Sequence, residues 1–169
     1  DGVGALMALL EEYIAREMAA LKQQGVTVRF LGDLERLPQA QRAAVERLMA
    51  HTEGGTRLAL NICISYGARA ELTRAARLLA EEVRAGRMAA SDIDEEQVAR
   101  RLYTSAFPDP DLLIRTSGEL RLSNFLLWQL AYAEIYVTPV LWPDFQRQHL
   151  WEAILEYQRR DRRFGKVTA

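Results

Sequence analysis

Cysteine is nearly absent: Cys63 stands alone among 169 residues. No disulfide can close within the chain, and a reducing compartment, the cytoplasm, is the expectation. Histidine is almost as scarce, and His51 and His149 lie far apart. Neither a zinc site nor a Ser-His-Asp triad is supported. No CxxC pair, GxGxxG or GxxxxGK[ST] occurs, which removes the redox, dinucleotide and P-loop signatures. No apolar run reaches the ~18 residues of a membrane-spanning helix. Charge of one sign is missing too: 22 Lys+Arg face 23 Asp+Glu. Without a global positive field, neither nucleic acid nor an anionic membrane is an expected partner. Any anion site must be local.

Repeats, low-complexity tracts and linkers are also missing, and the length suits a single domain over residues 1–169 with a sizeable core. The opening residues, DGVGALMALLEEY, have no basic region ahead of their apolar stretch, unlike a signal peptide. They lack an initiator methionine and enter a helical pattern at once, as a chain joined in mid-structure would.

What is present alternates between two periodicities. Leu6, Leu9, Leu10, Tyr13, Ile14, Met18 and Leu21 follow an amphipathic helix that should end near Gly25. VTVRFL, residues 26–31, is β-branched and aromatic and reads as a strand. Pro38 suits a helix start, and Ala43, Val45, Leu48 and Met49 continue that helix. LALNICI, residues 58–64, has the charge-free look of a strand covered on both faces. Ser65-Tyr66-Gly67 turns into a helix that Gly86 ends. Ser91-Asp92-Ile93-Asp94 suits a cap for a short helix, DEEQVARRLY, and Pro143-Asp144 a cap for the last one. Strands alternating with helices predict an α/β fold with a mostly parallel β-sheet flanked by helices.

The chemistry concentrates in residues 109–145, DPDLLIRTSGELRLSNFLLWQLAYAEIYVTPVLWPDF. An apolar strand ends on Arg115, a polar turn follows, then Arg121 and Ser123-Asn124, which could cap a helix. A strand end beside a helix start is where α/β folds hold anions, and arginine's planar fork suits phosphate oxygens. The alternative is that both arginines pair with Asp111 and Glu119 and merely steady the loop. Glu134 lies in a long apolar setting, where a carboxylate needs a partner. A magnesium ion shared with a diphosphate would supply one; so would solvent or an arginine. Asn61, Tyr66, Gly67 and Arg69 could line the same crevice or only form a turn. Trp128, Tyr132, Tyr136 and Trp142 suit a core or a subunit interface.

The same stretch resembles the C-terminal signature of the cis-prenyltransferases, the bacterial undecaprenyl diphosphate synthases in particular. VRFLGDLERLP, LNICISYGARAEL and the terminal RRFG extend the match along the whole chain. The resemblance implies an enzyme that condenses isopentenyl diphosphate repeatedly with an allylic diphosphate such as farnesyl diphosphate, with Z stereochemistry. The implied product is a long polyprenyl diphosphate, undecaprenyl diphosphate for a cell-wall carrier lipid. It further implies Mg2+, a homodimer, a cytoplasmic location and a hydrophobic tunnel for the growing chain. Arg115, Arg121 and Ser123 match residues that hold isopentenyl diphosphate, with Leu122 acting through its backbone. Glu134 matches a magnesium ligand, Arg163 and Gly165 an Arg-x-Gly tail that reaches across the dimer, and the apolar segment after Asn124 the dimer interface.

The sequence also departs from that family. The Asp-Gly-Asn-Gly-Arg loop that handles the allylic diphosphate, and the His and Asn-Trp residues after it, have no counterpart here; Asp1-Gly2-Val3-Gly4 is not that loop. The chain matches the C-terminal two-thirds of such an enzyme, without catalytic residues of its own, and is expected not to elongate farnesyl diphosphate alone. Ser65 and Ala68 replace the frequent Asn and Gly, and Leu120 a histidine found in some members. Two other functions stay open: a non-catalytic or truncated family subunit acting through its dimer surface, and a generic phosphate-binding module.

Overall fold

The computed structural model describes residues 2–160. They divide into two compact units, Asp1–Glu71 and Leu72–Ala169. The first contains helix α1 (Gly2–Gln23), strand β1 (Val26–Leu31), helix α2 (Gln39–His51) and strand β2 (Leu58–Cys63). Helix α3 (Ala68–Arg84) crosses the boundary. The second continues with the five-residue α4 (Glu95–Ala99), β3 (Leu112–Arg115), β4 (Glu134–Val137) and α5 (Arg147–Gln158). The α/β class is as expected, and every strand pairing is parallel. Hydrogen bonding groups the described strands two by two, β1 with β2 and β3 with β4. None of the described helices is long and apolar enough to cross a membrane.

In the first unit Val26, Val28 and Phe30 of β1 point inward with the period of two that a strand imposes. They meet Ile14 from α1 and Ala44, Val45 and Leu48 from α2. The spacing of those α2 residues places them on one helical face. One edge of β1 pairs in register with β2, from Val26 opposite Leu58 to Leu31 opposite Cys63. On the α2 side, the Val28 N–H donates to the buried hydroxyl of Thr52 at 3.0 Å, and that hydroxyl donates to the Leu48 carbonyl at 2.9 Å. A polar side chain only 1% exposed is thereby satisfied in both directions. Gly32 follows β1 at φ 142°, with the Ile64 carbonyl oxygen where a Cβ would sit. Only glycine fits that crossing.

β2 differs from its expected coverage. Leu58 and Ala59 are exposed and the rest half-buried. With β1 as its one ladder partner, its start stays open despite the apolar sequence.

In the second unit β3 and β4 pair from Leu112 opposite Glu134 to Arg115 opposite Val137. α4 is shorter than DEEQVARRLY suggests. Asp94 caps it, its carboxylate accepting from the Gln97 N–H at 2.8 Å, but the chain leaves the α progression after Ala99. α5 begins at Arg147, later than Pro143-Asp144 predicts. Residues 142–144 instead form a tight turn, and the Gln146 N–H donates to His149 Nδ1 at 2.9 Å, which caps the helix.

The largest departure lies between β3 and β4, where Ser123-Asn124 was expected to start a helix. Both residues are left-handed, with φ of 51° and 59°, and Leu126 is left-handed at 43°. An N-cap needs extended backbone followed by right-handed turns, so the α progression never starts. The segment runs as successive turns, such as Phe125 N–H to Leu122 carbonyl and Leu130 N–H to Leu126 carbonyl. The buried Gln129 anchors it by donating to Thr104 Oγ1 at 3.0 Å. An apolar sequence on all sides offers no stripe to select a helical face.

Candidate functional site

The site assembles at the carboxyl end of β3. Arg115 is its last residue, and the loop 116–124 folds back across it. Ser117 and Gly118 take left-handed backbone, φ 62° and 65°. Their N–H groups donate to the carbonyls of Val140 and Thr138 at 2.8 and 2.9 Å. The Thr138 N–H in turn reaches the Arg115 carbonyl at 2.9 Å. The loop is therefore braced by the segment leaving β4.

Glu119 draws the arginines together. Its Oε2 lies 3.6 Å from Arg115 Nη2 and is paired with Arg121 Nη2. Arg115 Nη2 also sits 3.5 Å from Ser123 Oγ. Arg115, Arg121 and Ser123, three of the residues picked out in the sequence, thus form one polar cluster. The loop-steadying alternative holds in part, because Glu119 does pair with both guanidiniums. The cluster still has capacity for an anion: Arg115 Nε is buried without a hydrogen-bond partner, and the Arg121 side chain is 69% exposed. Two guanidiniums against one carboxylate leave a local surplus of one positive charge. Leu120 projects into solvent at 87% exposure, whereas Leu122 is half-buried.

The expected helix terminus is not part of this cluster. Positive φ at Ser123 and Asn124 replaces it with a turn, so any anion here is held by guanidiniums, a hydroxyl and loop backbone.

Glu134 lies apart. It opens β4 and pairs with Leu112, while Arg115 pairs with Val137. Three residues along paired strands amount to about 10 Å and reverse the face of the sheet. The carboxylate partner of Glu134 is Arg160, whose Nη1 lies 2.9 Å from Oε2. Sequence reasoning missed Arg160; a lone acid in an apolar segment was the signal that a cation must approach from elsewhere. Among the described residues no group of three or more His, Cys, Asp or Glu could hold a metal ion. Glu134 fits magnesium as one ligand only. Its side chain is 27% exposed and Arg160 grips it through a single oxygen. Such an arrangement suits a hard ion that takes one or two carboxylates and completes its shell with water and phosphate.

Asn61, Tyr66, Gly67 and Arg69 belong to the first unit. Tyr66 donates its hydroxyl to Glu71, a carboxylate 2% exposed, and so serves the turn into α3. Asn61 Oδ1 is buried without a hydrogen-bond partner. Cys63 is half-buried, and its thiol is pushed up to about 11 by burial and by the nearby Glu71. Arg163 and Gly165 lie outside the described residues.

Among the aromatic residues, Trp142 is 71% and Tyr132 72% exposed. Trp142 stacks on Phe145 with ring centroids 5.8 Å apart. Ile135, Leu141, Leu150, Trp151 and Leu155 are exposed as well. These side chains are therefore not core in the described chain.

Comparison with known proteins agrees with the sequence signature. Residues 1–165 match the prenyltransferase family model described as "Putative undecaprenyl diphosphate synthase". Isoprenyl transferases from Heliobacterium mobile and Geobacillus kaustophilus are 51% and 50% identical over 167 residues. These matches take in 99% of this chain but 64% and 65% of the two relatives, so the chain spans about two-thirds of their length. Lavandulyl diphosphate synthase from Lavandula x intermedia, solved with dimethylallyl diphosphate, superposes with a TM-score of 0.94 at 36% identity, over 98% of this chain and 72% of that one. A structure described as a probable undecaprenyl diphosphate synthase from Campylobacter jejuni gives 0.85 at 33%, over 98% and 76%. With its signature loop, its parallel α/β units and these relatives in agreement, the chain belongs to the undecaprenyl diphosphate synthase family of prenyltransferases.

Proposed function

We propose that this chain supplies the isopentenyl diphosphate half of a Z-specific prenyl transfer, in which an allylic diphosphate such as farnesyl diphosphate is extended repeatedly towards undecaprenyl diphosphate. The observation that carries the reading is the Arg115–Arg121–Ser123 cluster, with its buried, unpartnered Arg115 Nε. A diphosphate entering the loop competes with Glu119 for both guanidiniums and takes up the idle donor. The braced backbone of Ser117 and Gly118 limits how far the arginines can drift. A fixed diphosphate holds the isopentenyl double bond where an allylic carbon can meet it, and that positioning lowers the barrier to the step. One carbon–carbon bond forms as the allylic carbon–oxygen bond breaks and its electron pair leaves with the diphosphate. A proton lost from the isopentenyl unit restores the double bond. This chain is proposed to bind and align isopentenyl diphosphate.

In the same reading Glu134 is the residue that would hold Mg2+, which when bound would supply neutralisation of diphosphate charge. Glu134 occupies the opposite face and end of the β3–β4 ladder from Arg115. The cation it holds would therefore serve a diphosphate presented from outside this chain's own arginine loop. The exposure of Tyr132, Ile135 and Trp142 supports a homodimer, and a cytoplasmic enzyme is proposed with it. Arg163 and Gly165 are proposed as substrate contacts across that dimer. A non-catalytic subunit would have no use for an idle arginine donor.

The test is Arg115→Ala in the intact enzyme, with isopentenyl diphosphate and farnesyl diphosphate binding measured separately by calorimetry. Loss of a charge-assisted contact worth about 1.5–3 kcal/mol should weaken isopentenyl diphosphate roughly 10- to 100-fold, and farnesyl diphosphate much less. Arg115→Lys should recover only part of the loss, because an ammonium lacks the fork. Equal losses for both ligands would sink the assignment.

A further inference from the structure

Arg160 is committed three ways at the end of α5. Its Nη1 donates to Glu134 Oε2 at 2.9 Å and to the Ile135 carbonyl at 2.8 Å, and its Nε lies 3.7 Å from Glu156 Oε1. One guanidinium thus joins the start of β4, a carboxylate and the last turn of α5, where the Arg159 and Arg160 N–H groups already close the helix onto Glu156 and Tyr157. The carboxylate itself is held by one contact, a single Arg160 nitrogen on one Glu134 oxygen. Both side chains are partly open to solvent, 30% and 27%, so an ion can reach the carboxylate without unfolding anything.

We propose that Arg160 and a divalent cation compete for Glu134, so that cation binding loosens the α5–β4 joint and the joint in turn restrains cation binding. The inference rests on Glu134 being a cation ligand, as above. A positive guanidinium within hydrogen-bond distance repels a second cation at the same carboxylate, and the cation draws away the charge that holds Arg160. Coupling of this kind is reciprocal: the factor by which Arg160 weakens the cation is the factor by which the cation weakens the joint. At partly exposed, water-screened positions that factor is on the order of three- to tenfold.

The purified protein, with saturating isopentenyl diphosphate, is titrated with Mn2+ and free Mn2+ is followed by electron paramagnetic resonance. Arg160→Gln should bind Mn2+ three- to tenfold more tightly than wild type, and Arg160→Lys, which keeps the charge, should stay near wild type. Amide hydrogen exchange gives the second readout. In wild type, Mn2+ should speed exchange in the last turn of α5 by a similar factor, while α2 stays unchanged. That measurement needs no variant, so it decides the matter even if Arg160→Gln folds poorly. If Glu134→Gln binds Mn2+ as wild type does, Glu134 is not a ligand, and both that reading and the coupling fall. If Glu134→Gln loses Mn2+ while Arg160→Gln binds no tighter and α5 exchange is unmoved, Glu134 stands as a ligand and the coupling alone is overturned.

Discussion

Replacing Thr52 by valine should cost the first unit about 1–2 kcal/mol, although the two side chains have nearly the same shape. In wild type the hydroxyl accepts from the Val28 N–H and donates to the Leu48 carbonyl. Valine removes both bonds, with unequal consequences. The Leu48 carbonyl keeps the backbone Thr52 N–H at 3.1 Å and remains satisfied. The Val28 N–H, on a residue 1% exposed, is left without its acceptor, which costs about 1–3 kcal/mol. The extra buried methyl returns at most about 1 kcal/mol. For a protein of this size the net change lowers Tm by roughly 2–8 °C. Urea titration with circular dichroism measures the change, and Thr52→Ser is the control. Serine keeps the hydroxyl and loses one methyl, about 1 kcal/mol, so it should be the milder variant. The Val28 amide should also exchange faster in Thr52→Val than in Thr52→Ser. If serine proves the more damaging, or valine is neutral, the hydroxyl does not hold β1 to α2 and the account of that edge is wrong.

Gly32→Ala should be worse, about 3–4 kcal/mol, because the new Cβ would lie 1.9 Å from the Ile64 carbonyl oxygen in a backbone conformation that disfavours side chains; a thermal melt within a few degrees of wild type would contradict the tightness of that crossing. Cys63 should be a poor nucleophile. With its thiol raised from 9.0 to about 11, its thiolate fraction at neutral pH is roughly 100-fold below that of an ordinary cysteine. Stopped-flow thiol titration should show slow labelling that accelerates up to pH 11. Its sign as a linkage is also fixed: the folded state holds the proton more tightly, so this contribution to stability is intact below pH 9 and lost as pH rises towards 11.

The helices and strands with a clear period were legible in the sequence. VTVRFL is strand β1 to the residue, because alternating β-branched and aromatic positions admit one reading. Arg115, Arg121 and Ser123 were legible as a group, since a strand end followed by a polar turn brings near neighbours together whatever the loop geometry. The helix after Ser123 was not, because nothing in a run of apolar residues announces that Ser123, Asn124 and Leu126 take left-handed backbone. Nor was the separation of Glu134 from the arginines. Face and end depend on the register of β3 against β4, a long-range pairing that neither strand encodes alone. Arg160 was hidden for the same reason, lying 26 positions from the carboxylate it holds.

The bracing of Ser117 and Gly118 by Val140 and Thr138 makes the arginine loop a two-piece part. Transplanting residues 115–124 into another parallel scaffold would carry over the guanidiniums but not the carbonyls that set their stance. A working graft would have to bring residues 138–140 as well. By the same token, a change at Thr138 can shift Arg115 and Arg121 without touching either, and variation in the two segments should be weighed as a single unit.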